Sequence, residues 1–456
     1  MTTSVIVLAA GKGTRMNSAL PKVLQPLGGE PLLAHVLAAA RALSPQTIHV
    51  VAGHGMAAVQ TACPGDDLHW VEQREQRGTG HAVAQALLHL AEGSALILYG
   101  DVPLVPPRTL ASLRDAAGEG IALLVMQAAD PTGYGRILRD AAGRVQGIVE
   151  ERDATAAMRA IGEVNTGLMA APVALLRRYL PRVQPRNAQS EYYLTDVVAL
   201  AVADGVAVST VAAEDPDDAL GVNDRLQLAY AERTLQRRRA EALLRAGVTL
   251  ADPARLDVRG ELRCGRDVFI DVNAVFEGRV VLGDGVRIGP NAVLRNCTIG
   301  EGVEVQAFSH LDGARVGDRA RIGPYARLRP GAELACETHI GNFVEIKQAM
   351  VGSGSKINHL SYIGDASIGT GVNVGAGTIT CNYDGVHKHR TVIGDGAFIG
   401  SGSELVAPVT VGEGATVGAG TTLRKDAPAH QLTVGGGRQV SLPHWRRPAP
   451  KDRDGG

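Results

Sequence analysis

The sequence predicts an α/β chain in three parts: a mostly parallel sheet covered by helices on both faces, one long helix, and a parallel β-solenoid. Three observations predict it. Short aliphatic runs alternate with helical patterns through 1–225. Residues 224–246, "DRLQLAYAERTLQRRRAEALLRA", contain neither Gly nor Pro and are rich in helix formers. From about 250 an apolar residue returns every six positions, a period that fits neither a helix at 3.6 nor a simple hairpin array. Glycine follows the same division: 34 of the 56 glycines lie in 251–456 and 22 in 1–250.

In the first part the strand candidates are Ser4–Ala10, Thr47–Val51, Ala95–Tyr99 and Ile121–Val125, with helical stretches at 31–43 and 79–90 between them. A β-α-β rhythm of this kind gives a parallel sheet whose ligands bind at the carboxyl ends of the strands. The long helix stops at Gly247, and its Arg237-Arg238-Arg239 run reads as a solvated face. The expected boundaries are a domain over 1–225, a linker helix over 226–247, and a solenoid domain over 248–456 with a flexible tail from about 443.

The solenoid anchors are Ile270, Phe276, Leu282, Ile288 and Leu294, then Ile299, Val305 and Leu311. They continue as Val316, Ile322, Leu328, Leu334, Ile340, Ile346, then Val351, Ile357, Ile363, and Ile368, Val374. After a break they resume at Ile393, Ile399, Leu405, Val411, Val417 and Leu423. One aliphatic side chain per short strand fills a narrow core.

Composition excludes several classes. A net charge of −1 provides no field for nucleic acid or membrane. The five cysteines form no CxxC pair, so they read as reduced thiols of a cytoplasmic protein rather than a disulfide framework or metal site. No apolar run approaches the ~18 residues of a membrane span, and Lys12 interrupts the first apolar segment too early for a signal peptide.

Two stretches break the regular pattern. "LAAGKGTRM" (Leu8–Met16) follows the first strand; it is neither a Walker A loop nor GxGxxG. Its glycines let backbone N–H groups approach an anion, with Lys12, Arg15 and Lys22 adding charge. An ordinary strand-to-helix turn is the alternative. "GTITCNYDGVHKHRTVIG" (Gly377–Gly394) interrupts the six-residue beat with Asn382, Tyr383, an Asp384-Gly385 turn and a basic cluster. Either the break is a tolerated insertion, or it loops out to build a site that a smooth coil cannot offer.

Further motifs carry a resemblance. "PKVL" at Pro21–Leu24, "GTGHA" (Gly78–Ala82), "YGDVPL" (Tyr99–Leu104), "GYGRI" (Gly133–Ile137), "VNTG" (Val164–Gly167) and "GVNDRLQL" (Gly221–Leu228) follow Leu8–Met16 in order. With the hexapeptide half, nearly the whole chain resembles the bacterial bifunctional N-acetylglucosamine-1-phosphate uridylyltransferase/glucosamine-1-phosphate N-acetyltransferase family. The resemblance implies a Rossmann-like nucleotidyltransferase domain and a left-handed β-helix. It also implies a cytoplasmic homotrimer with acyl-CoA sites between subunits, serving peptidoglycan and lipopolysaccharide precursor synthesis. The substrates it implies are UTP, N-acetylglucosamine-1-phosphate, glucosamine-1-phosphate and acetyl-CoA.

The same resemblance assigns roles. Leu8, Ala9, Ala10 and Gly11 would hold the triphosphate, with Arg15 and Lys22 countering its charge. Gln73, Gly78 and Thr79 would read uracil. Tyr99, Gly100, Gly135, Glu150 and Asn165 would hold the sugar side. Asp101 and Asn223 would ligate Mg²⁺, a thin protein shell that suits an ion completed by phosphates and waters. In the solenoid, His359 of "INHLSYIGD" would be the general base, work that suits an imidazole. Arg329 and Lys347 would bind the sugar phosphate, and Tyr362 and Asn373 the sugar hydroxyls. Ala376, Asn382, Tyr383, Ser401 and Ala419 would meet acetyl-CoA, with Lys388 joining the loop's contacts. The family usually carries an arginine after a short Ile-Ser-type stretch that grips the phosphates of the coenzyme; here "LTVGGGRQV" places the acetyl-CoA candidate Arg438 after three glycines.

Two other readings compete. A glucose-1-phosphate nucleotidyltransferase with a regulatory solenoid would lack His359, Lys347 and the Asn382–Tyr383 loop. A sugar-nucleotide sensor would have no use for a metal site at Asp101 and Asn223.

Overall fold

The computed structural model describes residues 2–436 except Lys12 and His54. Arg438 and the tail from 443 lie outside the described residues. The chain forms two compact units, 1–242 with 258–260, and 243–257 with 261–456.

The first unit is built on a twisted sheet. Its strand order is Val208–Ala212, Ile121–Gln127, Glu163–Pro172, Ser94–Tyr99, Thr3–Leu8, Thr47–Ala52, Leu68–Glu72. Glu163–Pro172 runs antiparallel to both neighbours and the other pairings on this path are parallel. The hairpin Gly135–Arg139/Val145–Val149 attaches to Glu163–Pro172. Both faces are covered, which explains the continuous apolar strands: Val5, Ile6 and Val7 are wholly buried, as are Leu96 and Ile97. The helices Leu32–Arg41 and Thr79–Leu87 lie at the expected places.

The helix Arg225–Arg245 packs along the first unit as far as Ala242. Glu232 accepts a hydrogen bond from the Gly28 N–H at 2.6 Å. Here the sequence reading needs correction, because the arginine run is not a solvated face. Arg238 pairs with Asp218 at 2.8 Å and donates to the Leu104 carbonyl at 2.9 Å. Arg239 is half-buried and donates to the Gly28 and Val258 carbonyls. Only Arg237 stays exposed. A guanidinium with five donors satisfies loop carbonyls as readily as solvent does.

The second unit is a parallel β-helix. Ile357 pairs with Val374 one coil on, Ile399 with Val417, and coils of 17 or 18 residues recur along its length. All the predicted anchors are buried. The periodicity shows a second inward position that the sequence reading passed over. Two residues before each anchor sits a small buried one, such as Ala320, Ala326, Ser355, Ser361 or Thr391. Large and small layers alternate, so the narrow core fills without voids.

One corner of the helix carries left-handed backbone. Asn291, Phe308, Tyr325, Phe343 and Leu360 all have φ between 50° and 58°. The rings of Phe308, Tyr325 and Phe343 stack at 4.9 and 5.3 Å, and all three are about half exposed.

Candidate functional site

In the first unit the predicted residues collect at the carboxyl ends of the central strands. Leu8 ends Thr3–Leu8, Gln73 follows Leu68–Glu72, and Gly100 and Asp101 follow Ser94–Tyr99. Ala9 is tied to the neighbouring strand through the Val51 carbonyl, and Gln76 donates to the Ala10 carbonyl. Gly11 faces open space: a Cβ there would meet nothing within 4 Å. Gly13 serves packing as well as anion approach. It has φ +60°, and a Cβ would stand 2.4 Å from that of Lys22. Without a side chain at 13, Lys22 passes over the loop. Arg15 sits exposed on the turn Thr14–Met16.

Lys22 reaches two of the predicted residues at once. Its Nζ contacts the Asp101 carboxylate and lies 3.1 Å from Asn223 Oδ1. Lys22 and Asp101 are largely shielded, with side chains 13% and 14% exposed. Asn223 is oriented from behind, where its N–H donates to Gln227 Oε1 at 2.7 Å. Carboxylate and amide oxygens from distant segments therefore converge on a single positive charge. A cation of higher charge suits the same donor set.

Beside this cluster lie the uracil and sugar candidates. Gly78 has φ +106°, and a Cβ would stand 2.6 Å from the Tyr192 carbonyl oxygen, so nothing larger fits. Gln73 Nε2 donates to the Gly78 carbonyl at 3.2 Å and lies 3.0 Å from His81 Nδ1. The Tyr99 phenol is bonded to Thr79; burial, then the nearby Glu150, raises its pKa. Its ring packs on Gly167, whose missing Cβ would be 2.8 Å away. Gly135 stands opposite Asn165 in register and leaves room for the Glu150 carboxylate. Burial raises the Glu150 pKa, against a 3.0 Å hydrogen bond from Thr195. Asn165 Oδ1 is buried with no partner among the described residues. An acceptor left open at that depth calls for a ligand donor.

In the second unit one column of stacked residues runs past His359. The carbonyls of Asn342, His359, Ala376 and Ser401 accept in turn from Leu360, Gly377, Gly402 and Gly420 of the next coil. Ala419 sits above Ser401, against Gly400. His359 and three of the residues expected at acetyl-CoA therefore line one edge. His359 Nδ1 lies 2.7 Å from Asn342 Oδ1. An amide oxygen only accepts, so Nδ1 carries the proton and Nε2 keeps a free lone pair.

Arg329, Lys347 and Tyr362 occupy the adjoining face. Arg329 donates to Glu345 at 2.9 Å, and the Tyr362 hydroxyl lies over Gly364 beside Asn382. Asn382 donates to Asp365. The predicted break is a hairpin: 25 residues separate Val374 from its partner Ile399, where the next coil takes 18. Tyr383 bridges Lys388 across a turn held by Asp384, which accepts from the Val386 and His387 N–H groups and from His389. These bonds, the His387 backbone first, hold the Asp384 carboxyl down at about 2. The hairpin lays Lys388 against Lys347, whose ammonium lowers the Lys388 pKa. Asn373 is not brought to this cluster. It pairs with Lys356 on the other side of the His359 corner.

Comparison with known proteins agrees with both halves. Residues 5–166 match the MobA-like NTP transferase domain, 258–351 the GMPPB C-terminal domain, and 390–425 the bacterial transferase hexapeptide family. Three relatives share the name Bifunctional protein GlmU. That of Alkalilimnicola ehrlichii is 58% identical over 98% of this chain and 97% of its own. That of Aromatoleum aromaticum is 59% identical over 98% and 99%. That of Stutzerimonas stutzeri is 56% identical over 99% and 100%. The chain belongs to the bifunctional GlmU family. As a GlmU it is a nucleotidyltransferase and an acyltransferase in one polypeptide, and the reading with a purely regulatory solenoid is not favoured.

Some contributors escaped the sequence reading of this GlmU. Asn342 carried a usable signal, since it precedes His359 by one 17-residue coil. Thr195, which fixes Glu150, and Tyr192, which closes over Gly78, carried none: only the folded chain brings them there.

Proposed function

We infer that the first unit transfers a uridylyl group from UTP to N-acetylglucosamine-1-phosphate and the second transfers acetyl from acetyl-CoA to glucosamine-1-phosphate. The observation that carries the first assignment is the convergence of Asp101, Asn223 and Lys22. A sugar-phosphate oxygen attacks the α-phosphorus, the bond to pyrophosphate breaks, and pyrophosphate leaves. Catalysis of this kind is positioning and charge neutralisation. Leu8–Gly11, Arg15 and Lys22 hold the triphosphate; Gln73, Gly78 and Thr79 read uracil; Tyr99, Gly100, Gly135, Glu150 and Asn165 hold the sugar. Asp101 and Asn223 are the residues that would hold Mg²⁺, which when bound neutralises charge on the phosphates.

In the second unit His359 Nε2 takes a proton from the amine as nitrogen attacks the thioester carbonyl, and the thiol of coenzyme A departs. Lys347 and Lys388 face each other with like charge, an arrangement that an anion between them relieves. Together with Arg329 they hold the sugar phosphate. Ala376, Ser401 and Ala419 receive acetyl-CoA along the column above His359, while Asn382 and Tyr383 belong to the adjoining face.

The exposed ladder of Phe308, Tyr325, Phe343 and Leu360 supports assembly as a homotrimer through the β-helix. Asn373 and Tyr362 project from different faces, so a substrate held by both would lie between subunits. Five free thiols fit a reducing cytoplasm. Among the described residues no helix is long and apolar enough to cross a membrane.

The test is one reaction containing glucosamine-1-phosphate, acetyl-CoA, UTP and Mg²⁺, with thiol and pyrophosphate followed separately and substrates omitted in turn. Thiol without UTP, and pyrophosphate only once acetylated sugar exists, is the expected result. Pyrophosphate without acetyl-CoA, and no thiol, overturns the acetyltransferase assignment.

A further inference from the structure

The first unit holds a second cavity that none of these roles uses. It has a volume of about 560 Å³ and opens between the helix Thr79–Leu87 and the segment 177–183. That volume suits a small organic ligand. Ala84, Leu88, Leu180 and Val183 form its body, and Arg77 and Arg177 stand in its wall. Leu88 is 77% exposed, an unusual place for a leucine at the edge of a preformed hollow. Of the two arginines, Arg177 is committed: it pairs with Glu92 and donates to the Leu90 carbonyl at 2.6 Å. Arg77 is freer. Its nearest carboxylate, Glu75, is 3.9 Å away, its guanidinium lies over the Tyr192 ring at 5.1 Å, and it donates a long hydrogen bond of 3.4 Å to the Tyr192 hydroxyl. No carboxylate lines the cavity among the described residues. An apolar body with a cationic wall and no acidic group complements a small apolar anion.

The wall is also the back of the uracil segment. The Gly80 N–H donates to the Tyr192 carbonyl, and the Tyr192 N–H to the Arg77 carbonyl, both at 2.8 Å. Gly78 has no free space against that same carbonyl. His81, another lining residue, contacts Gln73. A ligand that displaces Tyr192 therefore has to move Gly78 and Gln73 with it.

We propose that this cavity is an effector site for small aromatic monoanions, held by Arg77, whose occupancy weakens UTP binding through the Tyr192–Gly78 contact. The coupling half rests on Gln73, Gly78 and Thr79 reading uracil. The full-length chain is titrated with 8-anilinonaphthalene-1-sulfonate, an aromatic monoanion whose fluorescence rises in apolar surroundings. Calorimetry then measures UTP affinity with and without it. One saturable site is expected, weakened at least tenfold by Leu88→Glu, which sets a like charge at the mouth, and by Ala84→Trp, which fills the body. The probe should lower UTP affinity several-fold in the wild type and not in Leu88→Glu. By linkage, UTP should weaken the probe by the same factor. Acetyl transfer by the other unit monitors folding, and if Ala84→Trp does not fold, the exposed Leu88→Glu decides. Probe binding unchanged in Leu88→Glu overturns the site. Probe binding lost in the variant, with wild-type UTP affinity indifferent to the probe, overturns the coupling. If the wild type binds no UTP at all, the uridylyltransferase reading fails instead, and the fluorescence titration still decides the cavity.

Discussion

Asn342 offers the sharpest test of how His359 works. Its Oδ1 accepts from His359 Nδ1 at 2.7 Å, while the imidazole is otherwise exposed. Asn342→Ala removes the one hydrogen-bond partner that, among the described residues, selects the tautomer and holds the ring. A neutral hydrogen bond contributes about 0.5–1.5 kcal/mol net, so kcat for acetyl transfer should fall roughly 3- to 10-fold, since 1.4 kcal/mol is a factor of ten. His359→Ala, which removes the base itself, should cost ~10²–10⁴-fold. Asn342→Asp separates orientation from mere packing. Its carboxylate still accepts from Nδ1, so the ring stays placed, but negative charge now favours the imidazolium. At an exposed site that interaction is weakened by screening. A base that stays protonated to higher pH loses activity there, so the acid limb of the kcat profile should move to higher pH while the alkaline plateau is retained. Stopped-time thiol release across pH 5–9 measures both variants, with pyrophosphate release as the control. If the Asn342→Asp profile superimposes on wild type and Asn342→Ala loses nothing, Asn342 does not position the base.

Three further outcomes follow from the geometry. Asp101→Ala should abolish uridylyl transfer and leave acetyl transfer nearly intact; unchanged pyrophosphate release would remove Asp101 from the metal assignment. His49 is 2% exposed and stacks with His69 and His89, and burial pulls its pKa down from 6.5 to about 4. Between those values the unfolded chain binds a proton that the folded one refuses, so the first unit should lose up to about 3 kcal/mol as pH falls from 6.5 to 4. His49→Gln should flatten that slope in pH-dependent thermal unfolding, and an unaltered slope would exclude His49 as its source. Tyr325→Lys places a charge in the middle of the aromatic ladder and should abolish the proposed trimer, read by light scattering of wild type and variant side by side; a variant as large as a trimeric wild type at micromolar concentration would show that the ladder is not the interface.

Legibility in the sequence tracked how local the cause was. The anchors of the β-helix were all readable because each hexad repeats the same short-range demand, an apolar side chain at one inward position. The small residues two places earlier carried the same information in a fainter form, since Ala, Ser, Thr and Val differ in polarity and share only a side chain smaller than those of Leu and Ile. The parallel core of the first unit was readable from its apolar runs, whereas the antiparallel strand Glu163–Pro172 was not. Its position depends on pairing with Ile121–Gln127 and Ser94–Tyr99, which lie far off in the chain. The arginine run at 237–239 was misread for a related reason. Exposure of a long cation is decided by the carbonyls and carboxylates that other segments bring to it. At the candidate sites, the motifs pointed to Asp101, Asn223 and His359, and the coil spacing could have pointed to Asn342, while Thr195 and Tyr192 became visible only through contact.

The break at Gly377–Gly394 shows why regularity and function pull apart in a solenoid. A coil of 18 residues leaves no chain to spare, and every outward side chain stands perpendicular to a flat face. Seven extra residues, the difference between 25 and 18, suffice for one hairpin. That hairpin has its own supports, because Asp384 accepts three hydrogen bonds within it and the Asp384-Gly385 turn closes it, with Gly385 at φ +103°. It therefore costs the β-helix little: Ile393 returns to register on Ile368. The hairpin carries Lys388 over the face to Lys347, whose ammonium lowers the Lys388 pKa while the nearby Asp365 carboxylate acts the other way. An anion between the two ammonium groups would relieve their repulsion further, which is the ground for proposing that the break contributes to the sugar-phosphate site. Lys388→Met should raise KM for glucosamine-1-phosphate with little change in thermal stability; a KM unchanged from wild type would return the loop to the status of an insertion.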